Sequence, residues 1–567
     1  MFNTIKKYFN SKETSKPDLL YVPFFIVAFV IPVIMFPVST SYNTEMRDFL
    51  LSHGLHTDYY HLIKVIVLYL SALLLLVLLI FNNRKKLPLM FVILVPVYFS
   101  YFISTYLSHY KISALFGIFD HYEGFITQTC YLLILICSFA ICTDIKFIYN
   151  IIKIILWAGV FAAVIGIFQY TGGWPFATQE PYSITSTIGN SNYVGTFSAM
   201  LFPLSASMLL TDEKLKSKII YLFLFFGSSF FLLLGSMSRA AFIAFIAIVP
   251  LFLILLRKEI RKNYIWVLSA FMYCIALFFA MNVYSENMLV NELKSMNPFN
   301  SETQQKLVFS DIAINENVAT ISTNKWHMDI EVNDNGYIFK DGTGENIPIE
   351  FDEQKAIINI GQPYHIQAYV QQKQELKWML LKIDGKDIEF IYIDDSLKVV
   401  GFNGMLTDVN TVEFVRLPFG DSFASGRGYI WSRTIPLLKK AVFIGYGPDT
   451  FPYFFPQNDI IGKLNYGAIW TVISKPHNWY FQIAFGSGVI SMICLLIFFM
   501  WYGINVIKEN RFHDNKTRIL SYGILLSVVG YLITGIFNDS VVSVSPIFWM
   551  LLGFGISVNS HLAITSE

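Results

Sequence analysis

Apolar stretches long enough to cross about 30 Å of hydrocarbon recur along this chain at about 19 to 38, 62 to 81, 87 to 106, 126 to 142, 147 to 169, 192 to 210, 219 to 236, 239 to 256, 264 to 283, 479 to 507, 517 to 537 and 541 to 559. They predict roughly twelve membrane helices. Between the ninth and tenth runs the pattern changes twice. From about 286 to 417 apolar and polar residues alternate, as in Trp326-His327-Met328-Asp329-Ile330-Glu331-Val332 and Ile388-Glu389-Phe390-Ile391-Tyr392-Ile393. Turn signals stand at Asn333-Asp334-Asn335-Gly336, Asp341-Gly342 and Asp384-Gly385, so this part reads as short antiparallel strands in a small sandwich. From 420 to 476 the chain turns to Gly, Pro and aromatic residues with amphipathic pieces such as 431 to 442. That is the expectation for a segment lying along a membrane surface. The predicted fold is an all-α polytopic membrane protein with an inserted β-rich domain, divided into 1–283, 284–417, 418–478 and 479–567.

Composition agrees with that class: 54% of the 567 residues are hydrophobic, 14% are charged and the mean hydropathy is +0.52. A net charge of +1 points to no nucleic acid partner, so useful electrostatics must be local. Cys130, Cys137, Cys142, Cys274 and Cys494 all lie in apolar runs and read as small core residues, with no disulfide framework or metal set. Lys6, Lys7, Lys12 and Lys16 precede the first run, which lacks an Ala-x-Ala cleavage site and reads as an uncleaved span.

Basic residues recur on alternate loops: Arg84-Lys85-Lys86, Lys146, Lys214 with Lys216 and Lys218, Arg257-Lys258 with Arg261-Lys262, and Lys508, Arg511, Lys516 and Arg518. The positive-inside rule makes these loops and both termini cytoplasmic. The loops at about 39 to 61, 107 to 125, 170 to 191, 236 to 239, 284 to 478 and 538 to 540 then face outward, in the cytoplasmic membrane of the cell.

Chemistry is sought on that outer side. His477, in Lys475-Pro476-His477-Asn478-Trp479-Tyr480, stands where the insertion ends and a span begins, and an imidazole with an unperturbed pKa of ~6.5 transfers protons near neutrality. Trp479 and Tyr480 fit an interfacial belt whose faces stack on sugar rings. Arg239, at the outer end of two helices joined by almost no loop, is a candidate cation for a diphosphate. The plainer reading is snorkelling to headgroups. Arg427 in Ser425-Gly426-Arg427-Gly428 has no bulk on either flank, and Arg433 follows within reach. A planar guanidinium fork suits phosphate oxygens, although Arg433 alone reads equally well as a surface ion pair. Asn190 and Asn192 in Gly189-Asn190-Ser191-Asn192-Tyr193, and Glu123 in Tyr122-Glu123-Gly124, open spans from outside as caps or site groups. No HExxH, paired-Cys, Walker A or DxD-like cluster lies outside, so neither metal, nucleotide nor other cofactor is expected.

Taken in order, these motifs resemble the O-antigen ligase and polymerase superfamily of bacterial polytopic glycosyltransferases. The resemblance rests on Gly189-Asn190-Ser191-Asn192-Tyr193, Ser236-Met237-Ser238-Arg239, Gly426-Arg427 with Tyr429-Ile430-Trp431 and Ile444-Gly445-Tyr446-Gly447-Pro448, and Pro476-His477-Asn478 with Gly486-Ser487-Gly488. It covers most of the chain except about 286 to 417 and implies a GT-C-like helical fold. It further implies metal-independent, inverting transfer from an undecaprenyl-diphosphate-linked glycan to a lipid, glycan or protein acceptor among membrane lipids. Arg239 and Arg427, with Arg433, would bind the diphosphate, and His477 would position or deprotonate the acceptor hydroxyl. Lys475, Asn478, Trp479, Tyr480, Asn190, Asn192 and Glu123 would contact substrate. The family usually carries a glutamate where this chain has Ser487. A polysaccharide polymerase and a protein O-oligosaccharyltransferase share the pattern. A transporter is the alternative of another class, given the span count, but Lys64 and Lys153 lie at span ends and no ionisable residue sits mid-span.

Overall fold

The structure, a computed structural model, describes residues 17–81, 85–142, 144–173, 181–295, 307–333, 336–352, 354–373 and 376–560. Lys6, Lys7, Lys12, Lys16, Arg84 and the turn positions Asp334 and Asn335 lie outside the described residues.

Among the described residues, eight helices are long and apolar enough to cross a membrane: His61–Phe81, Leu89–Leu107, Ile145–Tyr170, Ser191–Thr211, Leu215–Gly235, Tyr264–Tyr284, Val489–Glu509 and Asn515–Thr534. Leu20–Val33, Phe125–Ala140 and Arg239–Leu255 are shorter apolar helices, and Ser545–Ser560 closes the set. Ile265, Leu268, Phe271, Met272 and Phe279 stay exposed along the ninth helix, the arrangement of a helix that meets lipid. The chain is a helical membrane protein with a separate β-rich region.

The Ser191–Thr211 helix is buried along its length and organises the bundle. Asn515–Thr534 lies directly against it because both carry small residues: a Cβ on Gly523 would strike Ser207, and one on Gly530 would strike the Ala199 carbonyl. Such close approach is how membrane helices gain packing without a hydrophobic drive. It brings the loop after Thr534 against the start of the Ser191–Thr211 helix.

The tenth apolar run departs from its predicted continuity. It forms two helices, Trp479–Ser487 and Val489–Glu509, separated at Gly488 (φ +109°). A Cβ there would press on the Phe443 carbonyl at 2.7 Å, so the break accommodates a crossing backbone.

The β-rich insertion begins with a short helix, Met288–Ser295, and then forms two antiparallel sheets. Phe309–Asn315, Val318–Thr323, His327–Asn333 and Gly336–Asp341 make a four-stranded sheet, and the strands from Ile349–Asp352 to Leu406–Thr407 make a seven-stranded one. Their inward rows, among them Ile312, Ile321, Met328, Ile330, Met379 and Phe390, share one core. Ile460 and Leu464 of the Ile460–Tyr466 helix join that core and tie the sandwich to the next segment. There, the Phe423–Lys440 helix buries Tyr429, Ile430 and Trp431 with Phe451, Ile473 and Phe485.

Candidate functional site

Asp539 lies in the short loop between the Asn515–Thr534 and Ser545–Ser560 helices, and its carboxylate is fully buried. Its Oδ2 stands 2.9 Å from His477 Nδ1, and its Oδ1 accepts the Asn478 N–H at 3.2 Å. His477 has a left-handed backbone (φ +48°), which costs a residue with a Cβ on the order of 1 kcal/mol. Its flanks impose that conformation. The Pro476 carbonyl accepts the Trp431 indole N–H at 3.0 Å, the Asn478 side chain caps the following helix at Phe481 N–H, and the Trp479 N–H donates to the Gly535 carbonyl. The His477 side chain is 42% exposed where that of Asp539 is 0%. With Nδ1–H donating to the carboxylate, Nε2 keeps its lone pair, the tautomer a general base needs. Burial works against the Asp539 anion, but His477, Lys475 and the Asn478 N–H outweigh it and hold the carboxyl below its ordinary range.

Arg427 is tied to the same loop. Its Nε donates to the Phe537 carbonyl at 2.6 Å, Nη1 to the Ala424 carbonyl at 2.9 Å and Nη2 to Asn538 Oδ1 at 3.4 Å. All three acceptors are neutral, and one N–H on each terminal nitrogen remains for an incoming oxygen. Burial lowers its pKa from the ordinary value, and Asp539 works in the opposite direction. Arg239 repels it and so belongs to the same neighbourhood. Arg239 opens the Arg239–Leu255 helix and donates from Nε to Glu292 at 2.6 Å and from Nη2 to Ser295 at 3.0 Å. The Asn192 side chain accepts from the Ser238 hydroxyl at 3.2 Å, while its carbonyl accepts from Asn538 Nδ2 at 3.2 Å. The 538 loop, the start of the Ser191–Thr211 helix and the turn before Arg239 thereby form one unit.

Lys475 is buried beside this unit, its Nζ 3.5 Å from the Tyr193 hydroxyl. Burial opposes its charge, yet Tyr193, Asp539, Asp449 and Glu123 together raise its pKa above the ordinary value. Glu123 accepts from the Tyr131 hydroxyl at 2.6 Å, the Ser540 hydroxyl at 2.8 Å and the Gln128 amide at 3.0 Å. Burial pushes its pKa up to about 7.

A second histidine–carboxylate pair lies nearby. His121 Nδ1 is 2.8 Å from Asp449 Oδ1, and its Nε2 is 3.3 Å from the Ser474 hydroxyl. Asp449 Oδ2 accepts the N–H groups of Ile118 and Glu123. The two side chains are 10% and 3% exposed, and burial, with Lys475, lowers the His121 pKa. Here both ring nitrogens are engaged, and the pair fastens the 118–123 loop to the segment before His477.

No family model, curated protein or solved structure matches this chain.

The structure gathers His477, Arg427, Arg239, Lys475, Asn192 and Glu123 around the 538–540 loop, and it assigns other expected residues to packing. Arg433 donates to Asp421 at 2.7 Å and to Asp459 at 3.0 Å, and its guanidinium lies between the Phe414 and Tyr429 rings at 4.7 and 4.5 Å. Two carboxylates neutralise it internally, so it is not presented to a diphosphate. Trp479 is buried against Phe499, Tyr531 and Phe548, so no face is open to a sugar ring. Tyr480 spends its hydroxyl on the Leu532 carbonyl at 2.7 Å. Asn190 and Asn478 are helix N-caps. The glycines beside Arg427 serve packing as well: a Cβ on Gly426 would strike the Tyr466 ring, and one on Gly428 the Gly420 carbonyl. Gly445 likewise packs on the Gly486 backbone, and Ser487 is buried with its hydroxyl on the Ile483 carbonyl.

Asp539, Asn538, Asp449, His121 and Glu292 join the site although the sequence does not single them out. Asn538-Asp539-Ser540, a polar triplet between two apolar runs, was the available signal. For the others the partner is remote in sequence and no local pattern marks it.

Proposed function

We propose that this chain is a membrane glycosyltransferase of the O-antigen ligase type. It transfers a glycan from an undecaprenyl-diphosphate donor to an acceptor hydroxyl on the outer face of the cytoplasmic membrane. In this reading all twelve apolar segments are embedded and both termini are cytoplasmic. The observation that carries it is the His477–Asp539 pair: an accessible imidazole, oriented by a buried carboxylate, on the loop that also holds the Arg427 guanidinium.

Each part has a role in the transfer. The acceptor oxygen attacks the anomeric carbon as the bond to the diphosphate oxygen breaks, with inversion at carbon. The acceptor proton passes to His477 Nε2, and Asp539 stabilises the imidazolium that forms. Arg427, with Arg239, takes the charge that grows on the departing diphosphate. A preorganised donor of this kind contributes about 3 kcal/mol, roughly a hundredfold in rate. Glu292 holds Arg239 in place until a diphosphate competes for it. Lys475 keeps the buried acid cluster partly neutralised. A lipid tail also has room: a cavity of about 470 Å³ lined by Phe202, Phe230, Phe245, Phe252, Cys274 and Phe278 lies along the helix that begins at Arg239.

The test replaces His477 and Arg427 separately by Ala in the native host, with membrane levels matched. Surface glycan should fall and lipid-linked donor should accumulate. Long chains left on lipid would mark a polymerase, a glycosylated protein would mark a protein O-oligosaccharyltransferase, and en bloc transfer to another lipid would mark a ligase. Unchanged glycans in both variants would remove the reading.

A further inference from the structure

Ser474 precedes His477 on the same segment but faces a different partner. Its hydroxyl is 3.3 Å from His121 Nε2, and His121 Nδ1 is 2.8 Å from Asp449 Oδ1. The acid fixes the tautomer. Asp449 Oδ2 accepts the Ile118 N–H at 2.8 Å and the Glu123 N–H at 3.2 Å, which favours the ionised carboxylate, a group that only accepts. Nδ1 therefore carries the ring proton and donates it to Asp449, and Nε2 accepts from the Ser474 hydroxyl. A hydroxyl donating to an imidazole that a buried carboxylate orients is the arrangement of an activated serine, and 3.3 Å falls in the looser spacing such pairs show before substrate binds.

The three side chains come from separate loops, each firmly held. Gln457 clamps Ile473, next to Ser474: its amide donates to the Ile473 carbonyl at 2.8 Å, and its Oε1 accepts the Ile473 N–H at 3.1 Å. The Pro476 carbonyl, on the other side of Ser474, accepts the Trp431 indole N–H. Asp449 has a left-handed backbone (φ +58°) in a turn where the Thr450 hydroxyl donates to the Gly447 carbonyl at 2.8 Å. Access rises towards the hydroxyl: the Asp449 side chain is 3% exposed, that of His121 is 10% exposed, and Ser474 is half-buried. The reactive end is the accessible one. Burial, with Lys475, lowers the His121 pKa against the pull of Asp449 and Asp120, so the ring is neutral near neutrality and ready to accept a proton. The N–H of Lys475, the residue after Ser474, has no acceptor among the described residues. That position supplies an oxyanion donor behind a serine nucleophile.

We propose that Ser474, His121 and Asp449 form a second active site, one that hydrolyses carboxylic esters. The Ser474 oxygen attacks the ester carbonyl carbon while its proton passes to His121 Nε2. Negative charge moves to the carbonyl oxygen, where the Lys475 N–H receives it. The bond to the alcohol oxygen then breaks, and the alcohol leaves with the proton from His121. Water attacks acyl-Ser474 in the same manner, which releases the carboxylic acid and restores the serine. Asp449 stays ionised throughout and holds the ring. A chain in a membrane meets such esters as acyl groups on sugar hydroxyls or on lipid glycerol. Neither His477 nor Asp539 takes part, so the proposal stands apart from the function proposed above.

The full chain, purified in detergent, is treated with a fluorophosphonate and its peptides are mapped by mass spectrometry, while turnover of para-nitrophenyl acetate is followed alongside. Ser474 should carry the adduct. Ser474→Ala removes one half-buried hydroxyl; it should still fold, lose the adduct and lower turnover at least about a hundredfold. Asp449→Asn, compared per folded molecule, should slow labelling by a similar factor because the ring loses the acid that fixes its tautomer. His477→Ala should be labelled like the unaltered chain, which separates this site from the transfer site. Acetate released from an O-acetylated oligosaccharide would assign the ester to a glycan, and fatty acid released from phosphatidylglycerol vesicles would assign it to a lipid. The proposal is overturned if Ser474 stays unlabelled in the folded chain, as a serine that only fastens a loop would. Turnover left unchanged by Ser474→Ala overturns it too.

Discussion

His477 and His121 each pair through Nδ1 with a buried aspartate at almost the same distance, 2.9 and 2.8 Å, yet the two arrangements do different work. His477 leaves Nε2 without a partner among the described residues and is 42% exposed; His121 is 10% exposed and spends Nε2 on Ser474. The carboxylate orients the ring in both cases, and access alone separates them; in the proposed reading, that access lets His477 take a proton from a substrate. The arginines repeat the lesson. Arg427 is held by neutral carbonyls, whereas the charge of Arg433 is matched by Asp421 and Asp459.

The comparison breaks most sharply at the histidines. His477→Ala should lower transfer per folded molecule by a factor of about 10² to 10⁴, with the smaller loss of thermal stability, since water can take the place of its 42% exposed ring beside Asp539. His121→Ala should do the reverse: it leaves Asp449 buried without its ring partner, costs about 1–3 kcal/mol of stability and spares the rate of molecules that fold. Equal rate losses in the two would erase the distinction. Among the arginines, Arg433→Ala should cost about 3–5 kcal/mol by stranding the buried Asp459 carboxylate and show as lost membrane protein on a blot. Arg427→Ala should keep its protein level and lose about a hundredfold in transfer.

A smaller effect concerns Glu123. Its folded pKa of about 7 lies above its unfolded value of 4.5, so the native state holds its proton more tightly. The associated stability is present below about pH 4.5 and is lost as pH rises through 7, a change of about 3 kcal/mol. Glu123→Gln should flatten the stability profile between those limits, measured by thermal unfolding at stepped pH, and a slope equal to wild type would contradict the assignment. The smallest effect belongs to Glu292→Gln. That ion pair is partly exposed and worth under about 1 kcal/mol. Stability should hardly move, while inhibition by free diphosphate tightens because Arg239 loses its internal competitor.

Most of the helices were legible in the chain because a membrane demands long apolar runs and leaves few other ways to bury the backbone. The break at Gly488 was less so: the run stays apolar across it, and only the Gly486-Ser487-Gly488 cluster hints at the crossing Phe443 backbone. His477 was visible because it marks a boundary between polar and apolar sequence. Asp539, equally necessary to the site, was not, since an acid in a tight loop gains its meaning from burial against a residue 62 positions away. The same remoteness hides the partners of Arg433, which stand 12 and 26 residues off. The position of Trp479 fits an interfacial belt, and only the folded bundle places Phe499, Tyr531 and Phe548 around it.

The most direct test of the transfer site is Asp539→Asn in purified protein, which keeps the shape of the pair and removes the charge that fixes the ring. Transfer from a synthetic undecaprenyl-diphosphate glycan is followed with donor affinity measured alongside. The account predicts a rate loss of at least about a hundredfold at unchanged donor affinity, with a lowered thermal midpoint because the native interactions that hold the Asp539 pKa down are lost. A variant that transfers at the wild-type rate would show that His477 does not act as the oriented base.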